Sequence, residues 1–139
     1  MIYPDTSTLV PLLISEQQSS IAEKVFAAAD RILVSDFAIG EVSSAIARYV
    51  RMGDRDADSG RQAVAAFDEW VARRTTPVET QSNDIRVATL FIRRFETGLR
   101  LPDALHLAIC RRLGAQIFSF DNGMLAAAKL LDIPACDRA

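Results

Sequence analysis

Short apolar runs alternate with longer segments of helical period along this whole chain, and few folds accommodate that alternation. MIYPD opens the chain as an apolar run ending in an acid. Residues 31–35 (RILVS), the brief run Thr76-Pro77-Val78 and residues 115–120 (AQIFSF) read as further strands. Helical segments are expected from 6 to about 13, with Thr6 or Ser7 as cap, and over 16–29. Ser35 caps the next helix, which stops near Gly53; residues 53–59 form a loop or a helix start, and 62–74 is helical again. A helix over 82–95 leads to a turn at Thr97-Gly98. Pro102 then opens a helix that Gly114 closes, and Asp121 caps the last one, MLAAAKLL. Strands that alternate with helices in this way predict an α/β fold: a three-layer α/β/α sandwich around a mostly parallel sheet. In such sheets function gathers at the carboxyl ends of the strands, near a topological switch point.

The 139 residues suit one compact domain, 1–139, and the 50% hydrophobic content is enough for a core without disulfides or a structural metal. Cys110 and Cys136 lack metal-ligand spacing and read as free thiols of a cytoplasmic protein. The start has neither the basic region nor the cleavage site of a secretory signal, and charges break every apolar run short of the roughly 20 residues of a membrane span. A net charge of −2, from 16 basic and 18 acidic residues, gives no general attraction for polyanions. All the basic residues except Lys24 and Lys129 are arginine, whose fork suits phosphate and carboxylate. Most of these belong to ordinary surface pairs, with Arg93-Arg94 and Arg111-Arg112 left as local strips open to RNA or an acidic partner.

Four acids stand out by position. Asp5 and Asp121 follow the first and last strands and point to one rim of a parallel sheet. Asp103 lies in the first turn after Pro102, and Glu41 sits at the edge of an apolar stripe through Ala38, Val42, Ala45, Ile46 and Tyr49. Each has an ordinary reading by itself: Asp121 as an N-cap, Asp103 as a charge near a helix dipole, Asp5 as a turn residue, Glu41 as a half-exposed edge. Together they suit a divalent cation. Gathered carboxylates repel unless positive charge is supplied, and Mg²⁺ or Mn²⁺ prefers such oxygen donors.

The segments MIYPDTSTLVPLL, EVSSAIAR, LPDALHLAIC and FSFDNGMLAAAKLLDI, in that order, resemble those of PIN-domain proteins, and the short format resembles the VapC toxins of toxin–antitoxin pairs. The resemblance implies a Mg²⁺- or Mn²⁺-dependent endoribonuclease. Asp5, Asp103 and Asp121 would hold metal directly or through water, and Glu41 would position a water or accept its proton. Ser7 and Ser119 would steady Asp5 or a water. The resemblance also implies a homodimer and a cognate VapB-like antitoxin that sets a basic side chain among the acids. His106, the single histidine, shares a helical face with Asp103; packing or local hydrogen bonding is the favoured role, ahead of general acid or phosphate contact.

Two departures from the family pattern stand out. Pro4 precedes the first acid where a large aliphatic is usual, so the first strand is expected to be shortened or bent. Asn122-Gly123 follows Asp121 with no further acid, so one well-held ion and at most a weaker second are expected. A receiver-type phosphotransfer domain lacks its lysine after a strand, and a haloacid-dehalogenase phosphatase lacks its second aspartate, Ser7 standing there. A flap-type DNA nuclease would need additional helical elements. The remaining alternative is a catalytically inactive PIN-like binding module.

Overall fold

The computed structural model describes residues 1–138. Its strands pair only in parallel. β1 (Ile2–Pro4) lies against β4 (Gln116–Phe118), and β2 (Leu33–Ser35) lies against β3 (Thr76–Val78). A bridge between Ile2 and Ile32 joins the two pairs, and one between Ile117 and Ala135 adds the chain's last stretch beside β4. The order across the sheet is therefore β3-β2-β1-β4.

The weak seam between β1 and β2 has a local cause. Ile2 N–H donates to Arg31 O at 3.0 Å, toward β2, and Asp5 N–H donates to Phe118 O at 3.0 Å, toward β4. By strand alternation the nitrogen of Pro4 faces β2, where the next rung would form, and proline has no proton to give. Pro4 thus keeps its register with Phe118, and the ladder lapses on the β2 side alone. Pro77 is harmless by the same parity: Thr76 N–H donates inward to Ile32 O at 2.8 Å, so Pro77 turns its nitrogen outward at the sheet edge.

The helices are α1 (Thr6–Leu9), extended by a 3-10 turn (Val10–Leu12), α2 (Ser19–Ala28), α3 (Asp36–Arg51), α4 (Ala57–Arg74), α5 (Ser82–Arg93), α6 (Leu101–Leu113) and α7 (Asn122–Leu130). Successive strand residues serve opposite faces. Ile2, Val34 and Phe118 join the core under α2, α3 and α4, whereas Tyr3, Leu33 and Ile117 join the one under α5, α6 and α7. That is the expected three-layer α/β/α arrangement. No helix among the described residues is long and apolar enough to cross a membrane.

Several boundaries depart from expectation. The helix expected over 6–13 is α-helical for only four residues, because Pro11 cannot donate to Ser7 O and the chain tightens into the 3-10 turn. Its cap position belongs to Asp5, not Thr6 or Ser7, and is served by the Asp5 backbone carbonyl while the carboxylate turns elsewhere. α2 begins at Ser19 rather than 16, since Ser19 Oγ binds Glu16 N–H ahead of the helix. α4 begins five residues before 62, its first turn capped by Asp56 through Ser59 N–H at 2.7 Å. Gly114, at φ +63°, ends α6 in the left-handed region that a side chain would strain.

Candidate active site

β1 and β4 are neighbours, yet the chain leaves β1 for β2 on the other side. The carboxyl ends of β1 and β4 therefore flank the point where strand order reverses. Asp5 and Asp121 follow those two ends. Asp5 is almost fully enclosed at 3% exposure. Ser7 Oγ donates to its Oδ1 at 2.6 Å and Ser119 Oγ to its Oδ2 at 2.7 Å. Each serine is itself held by a backbone donor, Ser7 by Phe120 N–H at 2.9 Å and Ser119 by Asp121 N–H at 3.0 Å. Burial pushes the Asp5 carboxyl above the usual carboxylate range, more than the two hydroxyls draw it down. A buried carboxyl is costly to desolvate, and the two serine hydroxyls offset part of that cost while fixing its orientation.

Asp121 caps α7, its Oδ1 accepting Met124 N–H at 3.0 Å. Gly123 keeps the space beside that oxygen, where an added Cβ would stand 3.1 Å away. Asp103, in the first turn of α6, faces Asp121 across a cleft of about 310 Å³ lined also by Arg100, Thr97 and Gly98. No hydrogen bond or ion pair reaches the Asp103 carboxylate among the described residues. Burial, then the negative charge of Asp121, raises its pKa above the ordinary value. A larger cavity of about 640 Å³ lies between α5 and α6, but its lining of apolar side chains, arginines, Asn83 and Asp84 contains none of the four acids.

Glu41 enters from α3. Its Oε1 accepts Thr6 Oγ1–H at 2.7 Å and also meets Nε2 of His106, which is 1% exposed. Burial raises the Glu41 pKa, but the bonds from His106 and Thr6 outweigh it and hold the carboxyl below its ordinary value. Nδ1 of His106 lies 2.9 Å from Tyr3 Oη, which lies 2.8 Å from Ser35 Oγ.

The four acids are hard oxygen donors of the kind Mg²⁺ and Mn²⁺ select, and Asp103, half-buried without a donor of its own, suits a cation best. In position the fit is looser. Among the described residues no three Asp, Glu, His or Cys side chains stand as a ready ligand set.

A family model for the PIN domain matches residues 2–130. The chain belongs to the PIN-domain family. Similar solved structures include VapC20 of Mycobacterium tuberculosis, a sarcin–ricin loop cleaving toxin (21% identity, 91% of this chain and 95% of that one, TM-score 0.73). FitAcB of Neisseria gonorrhoeae (12%, 99% and 98%, TM-score 0.70) is another, as is VapBC2 of Rickettsia felis bound to a fragment of its promoter DNA (11%, 98% and 98%, TM-score 0.71). At these identities the likeness is one of fold. No functionally curated protein matches the chain.

In this PIN domain the sequence reading did not find Tyr3, Thr6 or the second role of Ser35. The signals were slight: Tyr3 is the one polar-tipped aromatic in the first strand, and Thr6 adjoins Asp5. His106 is buried and hydrogen-bonded, but its partners Tyr3 and Glu41 are distant in sequence and were not foreseen. The arginine strips are mostly engaged. Arg112 forks onto Asp84, Arg94 pairs with Glu96, and Arg111 lies over the Phe91 ring.

Proposed function

We propose that residues 1–139 form one metal-dependent endoribonuclease domain, the toxin component of a VapBC-type toxin–antitoxin pair. The observation that carries this reading is the enclosed Asp5 carboxylate, clamped by Ser7 and Ser119 at the switch point beside Asp121, with Asp103 across the cleft. Family membership and the fold shared with a sarcin–ricin loop cleaving toxin and with a VapBC pair support it. Asp5, Asp103 and Asp121 would hold one Mg²⁺ or Mn²⁺ ion, directly or through water. Such an ion lowers the pKa of water and offsets the charge developing on phosphoryl oxygens. Ser7 and Ser119 keep Asp5 aimed, and Glu41 takes the proton of the water that attacks phosphorus in line. The products carry a 5′-phosphate and a 3′-hydroxyl. In the cell the chain would act in the cytoplasm as a homodimer, silenced by an antitoxin that sets a basic side chain among the acids.

The test is cleavage of total cellular RNA by purified, partner-free protein in Mn²⁺, Mg²⁺ or EDTA, with Asp5→Asn prepared identically. Discrete fragments that require metal are expected, with a loss of more than about 100-fold in the variant, since even the neighbours of metal ligands cost 10–100-fold. Fragments ending in a 2′,3′-cyclic phosphate would make the substrate hydroxyl the nucleophile and sink the scheme. Equal behaviour of both proteins would move the weight to an inactive binding module.

A further inference from the structure

The buried side chains behind Glu41 form one chain that runs through β2, β1 and α6, and its protons can be counted. Ser35 Oγ accepts Ala38 N–H at 3.0 Å, capping α3. Among the described residues its own proton has one partner, Tyr3 Oη at 2.8 Å, so Ser35 donates to Tyr3. The Tyr3 proton then goes to Nδ1 of His106 at 2.9 Å. With Nδ1 an acceptor, the ring proton sits on Nε2 and points at Glu41 Oε1. The opposite order would leave the Ser35 hydroxyl proton without an acceptor among the described residues, which burial makes costly.

Both donors to Glu41, His106 and Thr6, fall on Oε1. Oε2 has no protein donor among the described residues. One carboxylate oxygen is thus anchored and the other left free.

We infer that Tyr3 and His106 are positioning residues, and that the ordered chain Ser35–Tyr3–His106 fixes the orientation of Glu41 so that Oε2 remains the oxygen available to accept a proton. His106 therefore works as a neutral Nε2–H strut and not as an acid toward substrate. The inference rests on the proposed nuclease role of Glu41 for its kinetic consequences, but the tautomer is measurable without any RNA.

The experiment is ¹⁵N NMR of the His106 ring in the intact protein at neutral pH, alongside single-turnover RNA cleavage, for wild type and Tyr3→Phe. Phenylalanine keeps the ring in the core and removes only the hydroxyl. Wild type is expected to show one neutral tautomer protonated at Nε2, and Tyr3→Phe a mixture of tautomers. The cleavage rate should fall about 10-fold at saturation with the half-saturating RNA concentration unchanged. His106→Gln, whose amide nitrogen can reach Oε1, should retain more of that rate than His106→Ala. A wild-type ring protonated at Nδ1, or a Tyr3→Phe protein with unchanged tautomer and rate, would overturn the inference. An Nε2–H ring in a protein that cuts no RNA would leave the chain intact and refute the nuclease reading instead.

Discussion

Replacing Arg112 with alanine should destabilise this protein more than any other change of an arginine whose contacts are described above. Arg112 Nε and Nη2 donate to Asp84 Oδ1 and Oδ2 at 2.7 and 2.8 Å, and Nη2 also reaches Glu79 O at 3.0 Å. The pair ties α5 to α6, the helix that carries Asp103 and His106. Its two ends differ: Asp84 is 1% exposed, while the Arg112 side chain keeps 27%. Removing the arginine strands a buried carboxylate, for which about 3–5 kcal/mol is typical. The lower end applies, because Gln81 N–H still donates to Oδ2 at 2.8 Å and water can follow the truncated side chain. A loss of about 3 kcal/mol corresponds to a Tm lower by about 12 °C for a chain of this size. Burial raises the Asp84 pKa, but the Arg112 bonds outweigh it and hold the carboxyl below its ordinary value. With the folded pKa depressed, the stabilisation is present above the unfolded value of about 3.9 and is lost as pH falls through the folded one. The deficit of Arg112→Ala should therefore shrink below about pH 4. It should also fall to about 1 kcal/mol when Asp84→Asn is already present, a coupling of about 2 kcal/mol. Urea unfolding of the four proteins at pH 7 and about pH 3 measures all of this. A loss under about 1 kcal/mol, or an equal loss in the Asp84→Asn background, would show that no uncompensated charge had been created.

The proposed cation should also appear as stability. Asp5 and Asp103 have raised pKa values, so the metal-free protein gains stability as pH falls through their folded values toward the ordinary range near about 4. Added Mg²⁺ at about 100 times its Kd should stabilise by about 2.7 kcal/mol near neutral pH, fading as protons compete; a Tm that ignores Mg²⁺ and EDTA alike would count against the site. Gly60→Ala probes the α3–α4 contact, where an added Cβ would stand 2.8 Å from Val50 Cγ2 and 3.7 Å from Ile46 Cγ2. Overpacking of about 1–3 kcal/mol should outweigh the better helix propensity, leaving a net loss of about 1 kcal/mol that Val50→Ala recovers; unchanged thermal stability would show that α4 shifts freely.

What could be read from the chain alone was whatever depends on neighbours in sequence. The alternation of apolar runs with helical segments determined the layered parallel fold, and the period of two in Ile2-Tyr3 and Ile117-Phe118 set which side chains serve which face. Ser35, Asp121 and Gly114 were legible as helix punctuation because caps act within three residues. Placing Asp5 and Asp121 at one rim needed only the rule for parallel strand ends. Proline effects were legible in kind but not in side: whether Pro4 breaks the ladder toward β2 or β4 depends on which neighbour each edge meets. Tertiary structure alone decided the wiring behind the acids. Ser119 reaches Asp5 across 114 residues, Tyr3 reaches His106 across 103, and His106 reaches Glu41 across 65. No local period encodes such pairs, because each forms only where separate elements are brought within hydrogen-bond reach. Burial then acts on the assembled group: the same enclosure that raises Asp5 and silences Tyr3 as an acid exists only once both helical layers have closed over the sheet.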